Sequence, residues 1–295
     1  VEAGSPRGDG EDYLKVNAKA APEWELGEPD IIMDVPNFTI PASGVVDYER
    51  PVPPEVAALA TRPLYMDDAA ELIEVMRAKT PVQVARLMDL SDELAALNVA
   101  RYAAWSKRST AHNSRPAVLG FDGDVYDGLQ AASLGLDDLA WAQAHLVILS
   151  GLYGVLRPLD KLQPYRLEMG TAVATPRGRD LYAFWGDTLA GHLNKLQRGE
   201  PAPVIVNLAS QEYSRAALRP VLKARIVECV FEDWKDGQYK IISFFAKRAR
   251  GLMARFAVQQ RIESPEGLTA FEADGYAFDE RHSTADRLVF RRRMG

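Results

Sequence analysis

The segment that most constrains the fold is a predicted antiparallel hairpin that leads directly into a long helix. Two β-forming runs, 226–231 and 239–245, flank the turn Lys235-Asp236-Gly237, and Asp-Gly is typical of tight hairpin turns. Over 246–262 the apolar residues recur at helical spacing. Strands and helices joined this closely predict one domain of the α+β or mixed α/β class.

The rest of the chain repeats this mixture of short strands and helices. The pattern predicts helices over 67–88, broken at Thr80-Pro81, and over 92–105, a strand over 117–121, a buried helix over 139–148, and strands over 204–209 and 287–291. The break is expected because Thr followed by Pro suits a helix N-cap and first helical position. No repeat or linker divides the body of the chain.

Composition excludes several classes of protein. A single cysteine, Cys229, among 295 residues excludes an internal disulfide and a cysteine-ligated metal cluster. Apolar runs stay well short of the roughly 18–20 residues of a membrane span, and the chain opens without a signal-peptide pattern. We therefore expect a cytoplasmic protein that does not contact the membrane.

The net charge of −6 is unevenly distributed. Residues 1–55 hold 12 acidic and 4 basic side chains, so the remainder has a slight basic excess. Residues 1–36 are rich in Pro, Gly and acids, which predicts an acidic, irregular leader ahead of a domain over 37–295. The acidity of the whole chain therefore does not exclude an anionic partner for that domain.

The predicted long helix carries cations on the face opposite its apolar stripe. These cations are Lys247, Arg248, Arg250, Arg255 and Arg261. Charges of one sign repel each other unless a partner neutralises them, so the face is a candidate surface for phosphates. The alternative is a cationic face that is simply solvated.

Two further segments are candidates for phosphate contact. Residues 87–95 lie between two predicted helices, and Leu90 as a hydrophobic plug, Ser91 and Ala95 as a small packing residue suit a helix-hairpin-helix element. A plain helical hairpin is the alternative. In the loop 149–170, the cations Arg157, Lys161 and Arg166 interleave with Tyr153 and Tyr165, which suits phosphate contact and base stacking. The same arginines also suit ion pairs with Asp160 or Glu168 that would hold the loop in place.

Signals for metal or nucleophile chemistry are weak. Asp122, Asp124 and Asp127 lie near one predicted turn, where Asp-Gly turns are commoner than divalent-ion sites. The four histidines are far apart in sequence, and phosphate-loop and dinucleotide fingerprints are absent. Cys229 lies in a strand-like run and is expected in the core.

The motifs resemble those of one family, the bacterial peroxide-stress proteins YaaA. They include Gly123-Asp-Val-Tyr126, Leu149-Ser-Gly-Leu-Tyr-Gly154, Pro164-Tyr-Arg-Leu-Glu-Met-Gly170, Asn207-Leu-Ala-Ser210 and Ala246-Lys-Arg-Ala-Arg-Gly-Leu-Met253. The chain departs from the family pattern over 38–48, where Ser43 stands in place of a lysine. That departure leaves open whether the first strand of the family fold is present.

The resemblance implies a fold and a function. The implied fold is a single α+β domain with a curved mixed sheet wrapped around helices, a helix-hairpin-helix element and a positively charged cleft. The implied function is binding of double-stranded DNA and survival of hydrogen-peroxide stress, by limiting free intracellular iron and Fenton damage to DNA. No catalytic reaction is settled for the family.

Two hypotheses follow for this chain. The first is a DNA-binding protein, without cofactor, metal or protein partner, that contacts phosphates through Lys247, Arg248, Arg250 and Arg255, with Arg157, Lys161 and Arg166 as secondary contributors. The alternative is an enzyme or metal-handling protein with incidental DNA affinity, whose site is formed by Asp122, Asp124, Tyr153 and Glu168.

Overall fold

A computed structural model describes residues 37–41, 45–46 and 51–293. The leader predicted over 1–36 lies outside the described residues. The strands are β1 Asn37–Pro41, β2 Val45–Val46, β3 Arg115–Pro116, β4 Phe121–Asp122, β5 Leu146–Ser150, β6 Gly154–Leu156, β7 Lys161–Leu162, β8 Val204–Asn207, β9 Arg225–Lys235, β10 Gln238–Lys240, β11 Ala277–Phe278 and β12 Arg287–Arg292.

The helices alternate with these strands along the chain. They are α1 Pro54–Ala58, α2 Met66–Arg77, α3 Pro81–Met88, α4 Asp92–Ala104, α5 Ala117–Gly120, α6 Asp124–Leu129, α7 Leu136–His145, α8 Leu181–Trp185, α9 Thr188–Leu196, α10 Gln211–Ala217 and α11 Ser243–Gln260. Short 3₁₀ turns cover Ala131–Ser133, Pro265–Ala270 and Glu280–His282. Among the described residues, no helix combines the length and the apolar character that are needed to cross a membrane.

The main sheet is mixed and has the strand order β11-β12-β9-β8-β1-β5-β6. Its central strands β12, β9, β8, β1 and β5 are parallel, and the edge strands β6 and β11 are antiparallel. Strand β1 pairs with both β5 and β8, so the first strand that the sequence left in question lies within the sheet. The mixed α/β class is confirmed.

Local sequence signals explain several element boundaries. Thr80 caps α3 in a capping box with Gln83, and Ser91 caps α4 by accepting a hydrogen bond from the backbone N–H of Leu94; both satisfy N–H groups that a helix start leaves unpaired. The hairpin turn between β9 and β10 has positive φ at Asp236 and Gly237, as its Asp-Gly sequence predicts.

One predicted element is wrong, and another extends too far. The strand predicted over 117–121 is the short helix α5 followed by β4, and the N–H groups of Ala117 and Val118 bond to loop carbonyls of Asp160 and Pro158 instead of a strand partner. The helix predicted over 139–148 ends at His145, and β5 follows with every residue buried. Periodicity does not separate a buried helix from a buried strand in a short apolar run.

The hairpin and the helix that follows it also differ in detail. The second strand, predicted over 239–245, ends at Lys240, and α11 begins at Ser243. Cys229 is buried in β9, as predicted.

Helices α6 and α11 cross in unusually close contact. A Cβ atom on Gly251 of α11 would lie 1.8 Å from the carbonyl oxygen of Val125, and one on Gly128 of α6 would lie 2.2 Å from the carbonyl oxygen of Arg248. Glycine at both positions lets the two backbones touch. This crossing fixes α6 against the helix that carries the predicted basic face.

Candidate nucleic-acid interface

The cations of α11 surround the glycine that contacts α6. Lys247, Arg248 and Arg255 lie on the turns before and after Gly251, and all three interact with α6 or the turn that follows it. The sequence predicts five cations on one side of α11, and the structure brings three of them together beside α6. Sequence analysis misses that the basic side also packs against a second helix.

Arg255 binds the end of α6. Its Nη1 donates to the carbonyl oxygens of Leu129 at 3.0 Å and Gln130 at 3.1 Å, and to the Ser133 hydroxyl at 2.9 Å. A guanidinium at a helix C-terminus satisfies carbonyls that lack helical partners and complements the negative end of the helix dipole. The other guanidinium donors of Arg255 have no partner among the described residues.

Arg248 and Lys247 are held more loosely. Arg248 donates from Nε to Asp274 at 3.3 Å and from Nη1 to the Asp127 carbonyl at 3.4 Å, and its side chain is 36% exposed. Lys247 lies 4.0 Å from the Asp124 carboxylate and is 45% exposed. Both side chains therefore lie beside α6 with only long contacts and still reach solvent.

The two remaining cations of α11 face other elements. Arg250 is half-buried near Cys229 and Glu228 of β9, and desolvation lowers its pKa. Arg261 lies just beyond the helix, pairs with Asp138 at 2.8 Å, and its guanidinium lies 5.9 Å from the centre of the Trp141 ring. These two residues do not join Lys247, Arg248 and Arg255 around Gly251.

The arginines of the loop 149–170 make the ion pairs that the sequence offered as the alternative to phosphate contact. Arg157 pairs with the fully buried Asp160 at 2.9 Å, and Arg166 pairs with Glu168 at 2.7 Å. Lys161 lies in β7, which pairs with β3. The Arg157 and Arg166 guanidinium groups thus hold the loop in place, and phosphate contact from these residues stays a prediction.

The helical hairpin predicted near residue 90 is present. Helices α3 and α4 are joined by Asp89, Leu90 and Ser91, with Asp89 in the left-handed conformation that favours glycine. Leu90 is half-buried against the core, and Ala95 is fully buried. The geometry is that of two helices joined by a tight turn, and contact of this hairpin with DNA stays a prediction.

The residues of the enzyme or metal hypothesis have separate partners. Tyr153 is fully buried, accepts hydrogen bonds from the Trp105 indole at 2.8 Å and the Gln163 backbone at 3.1 Å, and burial raises its pKa to about 12. Glu168 pairs with Arg166, and Asp124 lies beside Lys247. Across the described part of the chain, no three His, Cys, Asp or Glu side chains are placed to hold a metal ion.

A buried polar network lies within the segment 149–170. The Ser150 hydroxyl accepts a hydrogen bond from the Tyr153 backbone and is 2.6 Å from the Tyr165 hydroxyl, and the rings of Tyr153 and Tyr165 pack edge to face. Sequence analysis interpreted these tyrosines as base-stacking candidates. Their burial assigns them to the core instead.

Sequence analysis also missed a pocket beside α6. It has a volume of about 670 Å³, and Phe121, Tyr126, Gln130 and Arg248 contribute to its lining. Sequence analysis considered the Asp-rich turn at the edge of the pocket only as a weak candidate metal site. Phe121 and Tyr126, in the same stretch of sequence, were the available signal for an apolar pocket.

Loss of the Arg255 contacts is expected to weaken the α6–α11 junction. Arg255→Ala should lower the free energy of unfolding by about 1.5 kcal/mol, because it removes charge-assisted hydrogen bonds to three acceptors. Urea unfolding followed by circular dichroism measures this, with Arg179→Ala as control because the Arg179 side chain is 91% exposed. An unfolding midpoint of Arg255→Ala equal to that of the control would contradict the assignment.

These features define a mixed α/β protein whose most cationic helix is fixed against a short helix next to a pocket. A sequence profile of the family described as peroxide stress protein YaaA matches residues 37–282. The chain belongs to this family. It is 63% identical over 255 residues to a UPF0246 protein of Leptothrix cholodnii, covering 86% of this chain and 98% of that protein.

Two further relatives match this chain with similar identity and coverage. A UPF0246 protein of Bordetella petrii is 56% identical over 256 residues, covering 87% of this chain and 99% of the relative. A UPF0246 protein of Paracidovorax citrulli is 57% identical over 256 residues, covering 87% of this chain and 98% of the relative. The resemblance that the motifs predicted is therefore confirmed.

Proposed function

We propose that the chain is a cytoplasmic DNA-binding protein of the peroxide stress response that contacts the phosphates of double-stranded DNA through α11. The observation that carries this proposal is the arrangement of Lys247, Arg248 and Arg255 around Gly251. Hydrogen bonds to the end of α6 hold Arg255, and Lys247 and Arg248 lie beside the same helix with partly exposed side chains, so the three cations are available to one phosphate backbone. Because phosphate contacts carry no sequence information, weak sequence preference and strong salt dependence are expected.

The α3–α4 hairpin is proposed as a secondary contact of the helix-hairpin-helix type. Its tight turn and the buried Ala95 support this assignment. The exposed acids Asp89, Asp92 and Glu93 oppose it, because they repel phosphates. The cations of α11 therefore have the main role, and the hairpin positions the protein on the duplex.

Family membership supports the wider biological role. We propose that the protein limits free intracellular iron and Fenton damage to DNA, and that its sheet has the curved form around helices that the family resemblance implies. Binding to DNA would place it at the molecule that Fenton chemistry damages.

Salt-dependent binding tests the proposal. Lys247→Ala/Arg248→Ala removes two phosphate contacts. The negative slope of log K against log salt should therefore become shallower by about two. Fluorescence anisotropy of a labelled duplex across a salt series measures the slope. These two residues are chosen because replacing Arg255 would also uncap α6.

A matched variant separates local contact from net charge. Arg179→Ala/Arg281→Ala removes the same charge from two exposed arginines elsewhere, and its slope should stay at the wild-type value. A slope that is unchanged in Lys247→Ala/Arg248→Ala, or reduced equally in both double variants, would remove α11 as the phosphate-binding surface.

A further inference from the structure

The pocket beside α6 has the size and lining of a small-molecule site. Its volume of about 670 Å³ falls within the range of about 300–1,000 Å³ for ligand pockets. Phe121 and Tyr126, with ring centres 5.2 Å apart and each 6% exposed, contribute a small aromatic surface, and Val118 and Leu119 contribute aliphatic surface. A ligand with a flat apolar body suits this lining.

The charges that line the pocket balance each other. Arg115 and Arg248 contribute two positive charges, and Asp122 and Asp127 contribute two negative charges. Two carboxylates disfavour a bare phosphate, and two guanidinium groups disfavour a metal ion. The Gln130 side chain, also in the lining, adds an amide that both donates and accepts hydrogen bonds. A neutral ligand with donors and acceptors on its edge fits this set.

The pocket adjoins the proposed phosphate-binding surface. Arg248 belongs to both, and Arg255 holds Gln130 and Ser133 of the pocket wall through its hydrogen bonds. Gln130 has a positive φ of 49°, a conformation that costs energy for a residue other than glycine. Arg255 therefore fixes a strained wall residue next to the cations that would bind the DNA backbone.

We propose that this pocket binds one nucleobase that is unpaired or rotated out of a duplex, while Lys247, Arg248 and Arg255 bind the flanking phosphates. A nucleobase is planar, neutral and lined with donors and acceptors, and it reaches a side pocket only after it leaves the base stack. This inference rests on the proposed function, because the phosphate contacts bring the base to the pocket.

A duplex with a single unpaired 2-aminopurine tests the inference. Wild-type protein should bind it about tenfold more tightly than the fully paired duplex, because an unpaired base leaves the stack at little cost. The 2-aminopurine fluorescence should change on binding, since the base exchanges its neighbours in the stack for Phe121 and Tyr126.

Variants distinguish the pocket from the phosphate-binding surface. Ala132 is an exposed residue of the pocket lining, so Ala132→Trp should fill the pocket without disturbing the core and abolish both the tenfold preference and the fluorescence change. Ala285→Trp, exposed on a distant turn, should retain both. Lys247→Ala, at a residue outside the pocket lining, should weaken binding to both duplexes and retain the tenfold preference.

The possible failures have different meanings. Equal affinity for the two duplexes without a fluorescence change, or a preference that persists in Ala132→Trp, would overturn the pocket assignment and leave phosphate contact by α11 in place. Absence of binding to either duplex at low salt would overturn both proposals.

Discussion

Replacing Gly251 with alanine is expected to lower the free energy of unfolding by about 4 kcal/mol. The added Cβ would lie 1.8 Å from the Val125 carbonyl oxygen and 2.9 Å from the Leu129 nitrogen. Both are backbone atoms of α6, so no side chain can rotate to make room. The helices must separate, and the contacts buried between them are lost.

Gly191→Ala is the matched control. Gly191 lies within α9, and a Cβ there would meet no atom within 4 Å. Alanine in an open helical position stabilises by about 0.5–1 kcal/mol, because glycine loses more backbone entropy on folding. Urea unfolding followed by circular dichroism should therefore shift in opposite directions for the two variants. Equal shifts, or a Gly251→Ala midpoint at the wild-type value, would contradict the close helix crossing.

The crossing also shows what sequence patterns can and cannot predict. The basic side of α11 was predicted from the spacing of five cations, Lys247, Arg248, Arg250, Arg255 and Arg261. The structure brings Lys247, Arg248 and Arg255 together beside α6, whereas Arg250 and Arg261 face other elements. Gly251 in the middle of that side was the signal for a packed helix. A glycine can occur in a helix for several reasons. Gly128, the glycine of α6 at the same crossing, lies 123 positions before Gly251, so local periodicity could not identify the contact.

Some element boundaries can likewise be predicted from local sequence, and others depend on residues far away in the chain. The break at Thr80-Pro81 and the turn at Asp236-Gly237 were predicted because capping and turn chemistry act within a few residues. The change from helix α7 to strand β5 at Leu146 was missed because the strand is defined by its parallel pairing with β1, whose residues lie more than 100 positions earlier. For the loop 149–170, sequence analysis left phosphate contact and ion pairs with Asp160 or Glu168 as alternatives, and the burial of Asp160 that favours the ion pair is visible only in the fold.

The second large effect is expected at a buried ion pair near the end of β12. Arg292 donates to Asp233 at 2.6 Å, and their side chains are 7% and 3% exposed. The Tyr276 hydroxyl donates to the other carboxylate oxygen of Asp233 at 2.8 Å. The Arg292 guanidinium also lies 4.4 Å from the centre of the Tyr276 ring. The pair joins the parallel strands β9 and β12 to the loop before β11.

Asp233→Ala should cost about 3–5 kcal/mol of unfolding free energy, because it leaves the Arg292 charge buried without its main partner. The double variant Asp233→Ala/Arg292→Met should recover much of that loss, since removing both charges also removes the cost of burying them. Lys107→Ala provides the contrast: Lys107 pairs with Asp67 at 2.7 Å, but the side chains are 56% and 85% exposed. That surface pair should contribute at most about 1 kcal/mol. Chemical unfolding of the four proteins measures the ranking, and a double variant no more stable than Asp233→Ala would show that the carboxylate acts through Tyr276 and not through the charge of Arg292.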